Sequence, residues 1–138
     1  MTNIVVLIKQ VPDTWSERKL SDGDYTLDRE AADAVLDEIN ERAVEAALLI
    51  KEKEQAEGGE GKVVVLTLGP ERAGEAIRKA LSMGADEAVH VLDDRVAGSD
   101  MVQTAWVLAH AIGQVEPPAD LVITGNQATD GTGGTVPA

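Results

Sequence analysis

Residues 120–138 read Asp120-Leu-Val-Ile-Thr-Gly-Asn-Gln-Ala-Thr-Asp-Gly-Thr-Gly-Gly-Thr-Val-Pro-Ala138. An apolar strand, Leu121–Thr124, runs straight into a glycine-rich polar loop. After a parallel strand, a loop of this kind is where a phosphate-bearing ligand sits. Glycine has no Cβ to hold the backbone N–H groups away from an anion. The helix expected next would add its positive end to the same place. That helix is not in the sequence, so the expectation is a domain truncated at its C-terminus.

Upstream, the pattern alternates between buried strands and helices. Ile4–Ile8 is a continuous apolar run rich in β-branched residues, the mark of a central parallel strand covered on both faces. Residues 15–30 are polar and irregular, with Tyr25-Thr-Leu27 as a possible short edge strand. A long helical pattern follows, with Val35, Ile39, Ala43, Ala46 and Ile50 at three- and four-residue steps. Either Asp28 or Asp37 can serve as its N-cap. Lys53 and Gly58-Gly59 mark its end, where cations suit the dipole and glycine stops the helix. Lys62–Leu68 is a second buried strand. Pro70 opens a helix carrying Ala73, Ala76, Ile77, Ala80 and Leu81 inward, which ends at Gly84. Glu87–Leu92 is a third strand. Ser99 caps a helix from about Asp100 to Gly113, with Val102, Trp106, Ala109 and Ile112 at helical spacing. The order β-α-β-α-β-α-β predicts an α/β fold, a three-layer parallel sheet with helices on both faces. Residues 1–138 suit one domain.

The composition narrows the classes of function. Twelve basic residues face 25 acidic ones, for a formal charge of −13. No Lys/Arg stripe is present, which argues against nucleic acid and against an anionic membrane surface. With no cysteine, there is no thiolate nucleophile or sulfur-ligated metal. The apolar start of the chain is too short for a signal segment or a membrane span, so the expected setting is cytoplasmic.

In an open parallel sheet, ligands bind off the carboxyl ends of the strands. Here those are Lys9–Thr14, Leu68–Pro70, Leu92–Arg95 and the segment from Gly125 onward. The last is the richest. It is neither a Walker A motif nor a G-x-G-x-x-G fingerprint. From the residues alone it reads as a nucleotide-binding loop or as a flexible surface loop. His90 in a strand and His110 on a helix have quiet structural readings. The acidic pairs Asp93-Asp94 and Asp22/Asp24 fit solvated turns. Trp106 fits a core position. No catalytic constellation is visible.

Several stretches in order resemble the β subunit of electron transfer flavoproteins, in its bacterial form. They are Val5-Val-Leu-Ile-Lys-Gln-Val-Pro-Asp-Thr14, Asn40-Glu-Arg-Ala-Val-Glu-Ala-Ala47, Gly69-Pro-Glu-Arg72, Ile77-Arg-Lys-Ala-Leu-Ser-Met-Gly-Ala-Asp86 and Gly125-Asn-Gln-Ala-Thr-Asp-Gly131. The resemblance implies the N-terminal portion of such a subunit, with a Rossmann-like adenine-nucleotide-binding fold. It implies pairing with an α subunit in a heterodimer that carries FAD. That FAD takes electrons from dehydrogenases, such as acyl-CoA dehydrogenases in fatty acid β-oxidation. A quinone oxidoreductase receives them. The β subunit would bind AMP, or a second FAD in bifurcating members, and would not be an enzyme by itself.

Carried over by position, the nucleotide contacts fall on Leu7, on Asp37, Glu38, Ile39 and Asn40, and on Leu68. They continue through the loop: Gly125, Asn126, Gln127, Ala128, Thr129, Asp130, Gly131, Thr132, Gly133, Gly134 and Thr135. The phosphate is expected on the loop N–H groups, and a Cβ branch at Gly133 is expected to crowd it. The rivals are a stand-alone nucleotide-binding module and an adenine-nucleotide α-hydrolase-like enzyme. Such an enzyme places its phosphate loop after the first strand, where Lys9–Thr14 has no glycine.

Overall fold

A computed structural model describes residues 2–138. Strand β1 (Asn3–Leu7) is followed by a short strand β2 (Gln10–Pro12), which pairs antiparallel with β3 (Ala34–Leu36) in a sheet of its own. Helix α1 (Glu38–Ala56), strand β4 (Lys62–Leu68), a 3₁₀ turn (Glu71–Ala73) and helix α2 (Gly74–Met83) come next. Strand β5 (Glu87–Val91), a second 3₁₀ turn (Asp94–Val96), helix α3 (Met101–Ile112) and strand β6 (Leu121–Ile123) complete the order. The main sheet runs β5-β4-β1-β6, with every neighbouring pair parallel.

The continuous apolar runs are explained by this order. β1 has strands on both edges and helices on both faces. Ile4, Val6, Val63 and Val65 pack under α1 and α2, while Val5, Val64 and Leu66 face α3. Alternate residues therefore serve opposite layers, as the two-residue strand period requires. Each such side chain contributes about 1.5–3 kcal/mol by leaving water.

The sheet is built outward from β1 through β4 to β5. The chain then crosses by way of α3 on the opposite face and lays β6 against the other edge of β1. The reversal opens a crevice between the carboxyl ends of β1 and β6, the place where open α/β sheets take their ligands.

Some local expectations are corrected. Val35 lies in β3, not in the long helix, because its segment pairs with β2. Asp37 is the cap of α1, its carboxylate accepting from Ile39 N. Tyr25-Thr-Leu27 forms only a single bridge, Leu20 to Leu27. Pro70 stands just before the 3₁₀ turn rather than inside a helix. Asp100, not Ser99, caps α3, accepting from Gln103 N at 2.8 Å, while the Ser99 hydroxyl donates to Val96 O.

Trp106 does not take the core position expected of it. Val102 and Trp106 are 79% and 67% exposed, whereas Leu108, Ala111 and Ile112 pack on the sheet. This helix has two apolar stripes, and spacing alone does not choose between them. Leu81 likewise is half-exposed. Among the described residues, no helix is long and apolar enough to cross a membrane.

Candidate nucleotide site

The crevice at the β1/β6 switch is a cleft of about 350 Å³. Its floor is Leu7, Ile8 and Lys9 from the end of β1, with Thr124 and Gly125 after β6. Leu68 closes one side, and Ser99, Asp100, Met101, Thr104 and Leu108 around the start of α3 close another. Asn40, Gln127, Ala128, Gly131, Thr132 and Gly133 complete the lining, with Val136, Pro137 and Arg29. The volume lies at the small end of the range of about 300–1,000 Å³ usual for small-ligand sites.

The residues expected to contact nucleotide divide into two groups. Leu7, Asn40, Leu68, Gly125, Gln127, Ala128, Gly131, Thr132 and Gly133 line the cleft. Asp37, Glu38, Ile39, Asn126, Thr129, Asp130, Gly134 and Thr135 are not among its lining residues, and most of these have structural tasks. Asp37 is wholly buried. One carboxylate oxygen accepts from Ile39 N at 3.0 Å, and the other accepts from Thr129 N at 2.9 Å. It thus ties the glycine-rich loop to the first turn of α1. The Ile39 side chain occupies the space that a Cβ on Gly125 would need, its Cγ2 lying 2.5 Å from that position. Glu38 faces a separate shallow hollow beside Trp15 and Arg42. The Thr135 hydroxyl donates to Met101 Sδ at 3.2 Å.

Asn40 lines the cleft and has a structural task as well. Its Oδ1 accepts from Lys9 N at 2.8 Å. This fixes the amide orientation and joins α1 to the end of β1 at the cleft floor.

The loop is more closed than its glycine content suggests. Ala128 N donates to Thr132 O at 2.8 Å, and Thr132 N returns a bond to Ala128 O at 3.1 Å. Thr129 N goes to Asp37, Gly131 N to Asp130, and Val136 N to Gly133 O. These amides are spent within the protein. Thr132 and Gly133 both hold positive φ, at 58° and 59°. A Cβ on Gly133 would meet only Val136 and Met101 at ordinary contact distances. The left-handed backbone is itself a reason for glycine there, since a β-branched residue adopts it only with strain.

Asp130 is the electrostatic centre. Its side chain is fully buried, with Lys9 Nζ at 2.8 Å on one oxygen and Arg29 Nη1 at 2.5 Å on the other. Burial pushes this carboxyl up, but the hydrogen bonds from Lys9 and Arg29 outweigh it and hold the pKa down at about 2. Arg29 comes from the irregular arm of residues 13–33. Arg18 Nη1 donates to Thr129 O, and Arg72 donates to Arg29 O and Ala32 O, so the arm is fastened across the strand ends. A depressed carboxylate pKa stabilises the fold at every pH above its unfolded value, near 4. That contribution, about 1–2 kcal/mol allowing for the half-exposed cations, is lost as pH falls from about 4 through 2. Urea midpoints across this window should fall more steeply for the native chain than for Asp130→Asn. Parallel curves would remove Asp130 as an acid-sensitive tie.

Sequence reasoning named Lys9 only as part of a strand end, and it missed Arg29, Thr124 and the wall from α3. Lys9 carried a usable signal, its place at the carboxyl end of β1. Arg29 carried none, since its partner lies 101 residues away.

The quiet reading of His90 agrees with its position. Its Nε2 is 3.0 Å from Gly69 O, beside the end of β4 and outside the cleft. Trp106 is not core. It stands exposed on α3 with its ring edge-on to His110, centroids 4.5 Å apart.

Comparison with known proteins identifies the family. The electron transfer flavoprotein domain matches residues 24–138, most of the chain. The electron transfer flavoprotein subunit beta of Mycobacterium tuberculosis is 75% identical over 138 residues, covering 100% of this chain and 52% of the relative. The subunit of the same name from Thermoanaerobacterium thermosaccharolyticum is 43% identical, over 94% of this chain and 46% of its own length. Subunit CarD of the caffeyl-CoA reductase-Etf complex of Acetobacterium woodii is 41% identical, over 93% and 47%. The chain spans about half the length of the curated relatives it matches. With a parallel sheet reversing at β1, a loop-lined crevice at that reversal, and this likeness along the whole sequence, the chain belongs to the electron transfer flavoprotein family, among its β subunits.

Proposed function

We propose that residues 1–138 form one adenine-nucleotide-binding domain that holds an adenylate in the β1/β6 crevice. The observation that carries this reading is the cleft itself. It has apolar walls from Leu7, Leu68 and Leu108, a few converging polar groups, and the glycine-rich loop at its mouth. Apolar walls with sparse polar groups suit a base and a ribose phosphate. The modest volume favours AMP over a second FAD as the occupant. In the whole protein this domain pairs with an α subunit. The heterodimer's FAD accepts electrons from dehydrogenases, acyl-CoA dehydrogenases among them, and gives them to a quinone oxidoreductase. The domain is then a non-catalytic carrier component in a cytoplasmic setting.

Calorimetric titration with AMP tests the reading, and absence of saturable binding would overturn it. Gly133→Val should weaken AMP binding by roughly tenfold, because a β-branched residue at positive φ strains the loop by about 1–2 kcal/mol. Affinity equal to that of the native chain would detach the loop from the site. Incubation with ATP and Mg²⁺ separates the α-hydrolase-like alternative, since turnover would favour the enzyme.

A further inference from the structure

The sequence places the ligand's phosphate on the backbone amides of the glycine-rich loop. The structure already engages part of that loop. Five amides, those of Ala128, Thr129, Gly131, Thr132 and Val136, are already bonded within the protein. The loop amides that remain are neutral donors, and the chain as a whole opposes an anion with a formal charge of −13, so a cation at the cleft would add what they lack.

Two cations meet at the cleft nonetheless. Lys9 and Arg29 both line it, and their side chains are 40% and 50% exposed. One buried carboxylate, Asp130, holds both. An ammonium has three donors and a guanidinium five. Asp130 takes one from each, so both groups retain donor capacity at the cleft. Asp100 is the opposing charge on the lining. It sits at the N-terminus of α3, where Gln103 N bonds its carboxylate and the helix's positive end offsets it.

We propose that Lys9 and Arg29 are the residues that read the ligand's phosphate, with Asp130 as the positioning residue that presents both cations to it. The proposal rests on the adenylate reading of the cleft and adds the source of its charge selectivity. The class of ligand is an adenylate bearing an anionic phosphate ester, not a neutral nucleoside. The arm of residues 13–33 is then part of the site, because it delivers Arg29.

The test is calorimetric titration of the chain and of Lys9→Gln and Arg29→Gln with AMP, adenosine and FAD, at low and high salt. Circular dichroism establishes that each variant is folded. The native chain should bind AMP at least tenfold more tightly than adenosine, with the preference shrinking as salt rises. Each substitution should reduce AMP affinity by roughly tenfold to a hundredfold, the scale of a hydrogen bond to a charged group. Adenosine affinity should stay within about twofold of the native value, well under the worth of one such bond. Parallel effects on FAD would extend the same phosphate reading to the dinucleotide. Equal losses for AMP and adenosine would mean that the pair only braces the loop, and would overturn the proposal. Native-like AMP affinity in both variants would overturn it too, while leaving the adenylate site standing. Failure of the native chain to bind any of the three would overturn the site itself.

Discussion

Asp37→Ala is expected to destabilise the chain by about 3 kcal/mol, the sum of a lost helix cap and a buried N–H left without a partner. Asp37 is fully buried and uses both carboxylate oxygens, one on Ile39 N and one on Thr129 N. Alanine removes both acceptors together. The first loss frays the start of α1, at about 1 kcal/mol. The second strands the Thr129 amide beneath the loop, at roughly 1–3 kcal/mol. Against a total stability of about 5–15 kcal/mol for a domain of this kind, that is a large fraction. Asp37→Asn keeps one acceptor and should lose about half as much. Asp28, the other cap candidate in the sequence, lies in the exposed arm with its carboxylate on Ala31 N. Asp28→Ala should fall within about 0.5 kcal/mol of native. Urea denaturation of the three variants decides the matter, and equal midpoints for Asp28→Ala and Asp37→Ala would refute it.

Gly125→Val should close the cleft and cost about 2–3 kcal/mol of stability, the upper part of the range for overpacking a filled site. A Cβ at Gly125 would lie 2.5 Å from Ile39 Cγ2 and 3.0 Å from Asn40 Nδ2. Isoleucine is stiff at χ1 in a helix, so it has little freedom to turn aside. The strain is therefore transmitted to the first turn of α1. That turn carries Asn40, which accepts from Lys9 N on the cleft floor. AMP affinity should drop by more than tenfold, and even Gly125→Ala should show part of both effects. Gly131 is the control. An added Cβ there meets no protein atom within 4 Å, so Gly131→Ala should unfold at the native urea concentration. If Gly125→Ala matches Gly131→Ala, the close approach of loop and helix is not a constraint.

The two variants test neighbouring parts of one arrangement. Asp37 draws the loop down onto α1 from below, and Gly125 lets the backbone pass close enough for that to happen. Both were expected to be ligand contacts. Gly125 lines the cleft, and Asp37 serves it from underneath without reaching it. A position matched to a binding motif thus need not touch the ligand; it can shape the segment that does.

Much of the fold was legible because it is written in short-range patterns. The run Ile4–Ile8 and the stretch Val63-Val-Val-Leu66 are apolar at every position, which only a strand buried on both faces requires. Gly84, at φ 124°, ends α2 as its place in the sequence indicated. The β2/β3 pair was not legible. Each strand has three residues, and their pairing spans the whole intervening arm. In α3 the helical spacing was legible, but Trp106 is exposed while Ile112 packs inward, because the sheet selects which side is buried.

By itself, the sequence determined the alternation of strand and helix, the buried β-branched centre of the sheet, and the loop that follows the last strand. Each follows from residue period or from glycine geometry over a few neighbouring positions. Only the tertiary structure decided that β6 returns beside β1 and opens the crevice there, that Asp37 lies beneath the loop, and that Asp130 gathers Lys9 and Arg29. Those two contacts join residues 121 and 101 positions apart. No local pattern encodes them, because they exist only once the crossovers have brought the strand ends and the arm together.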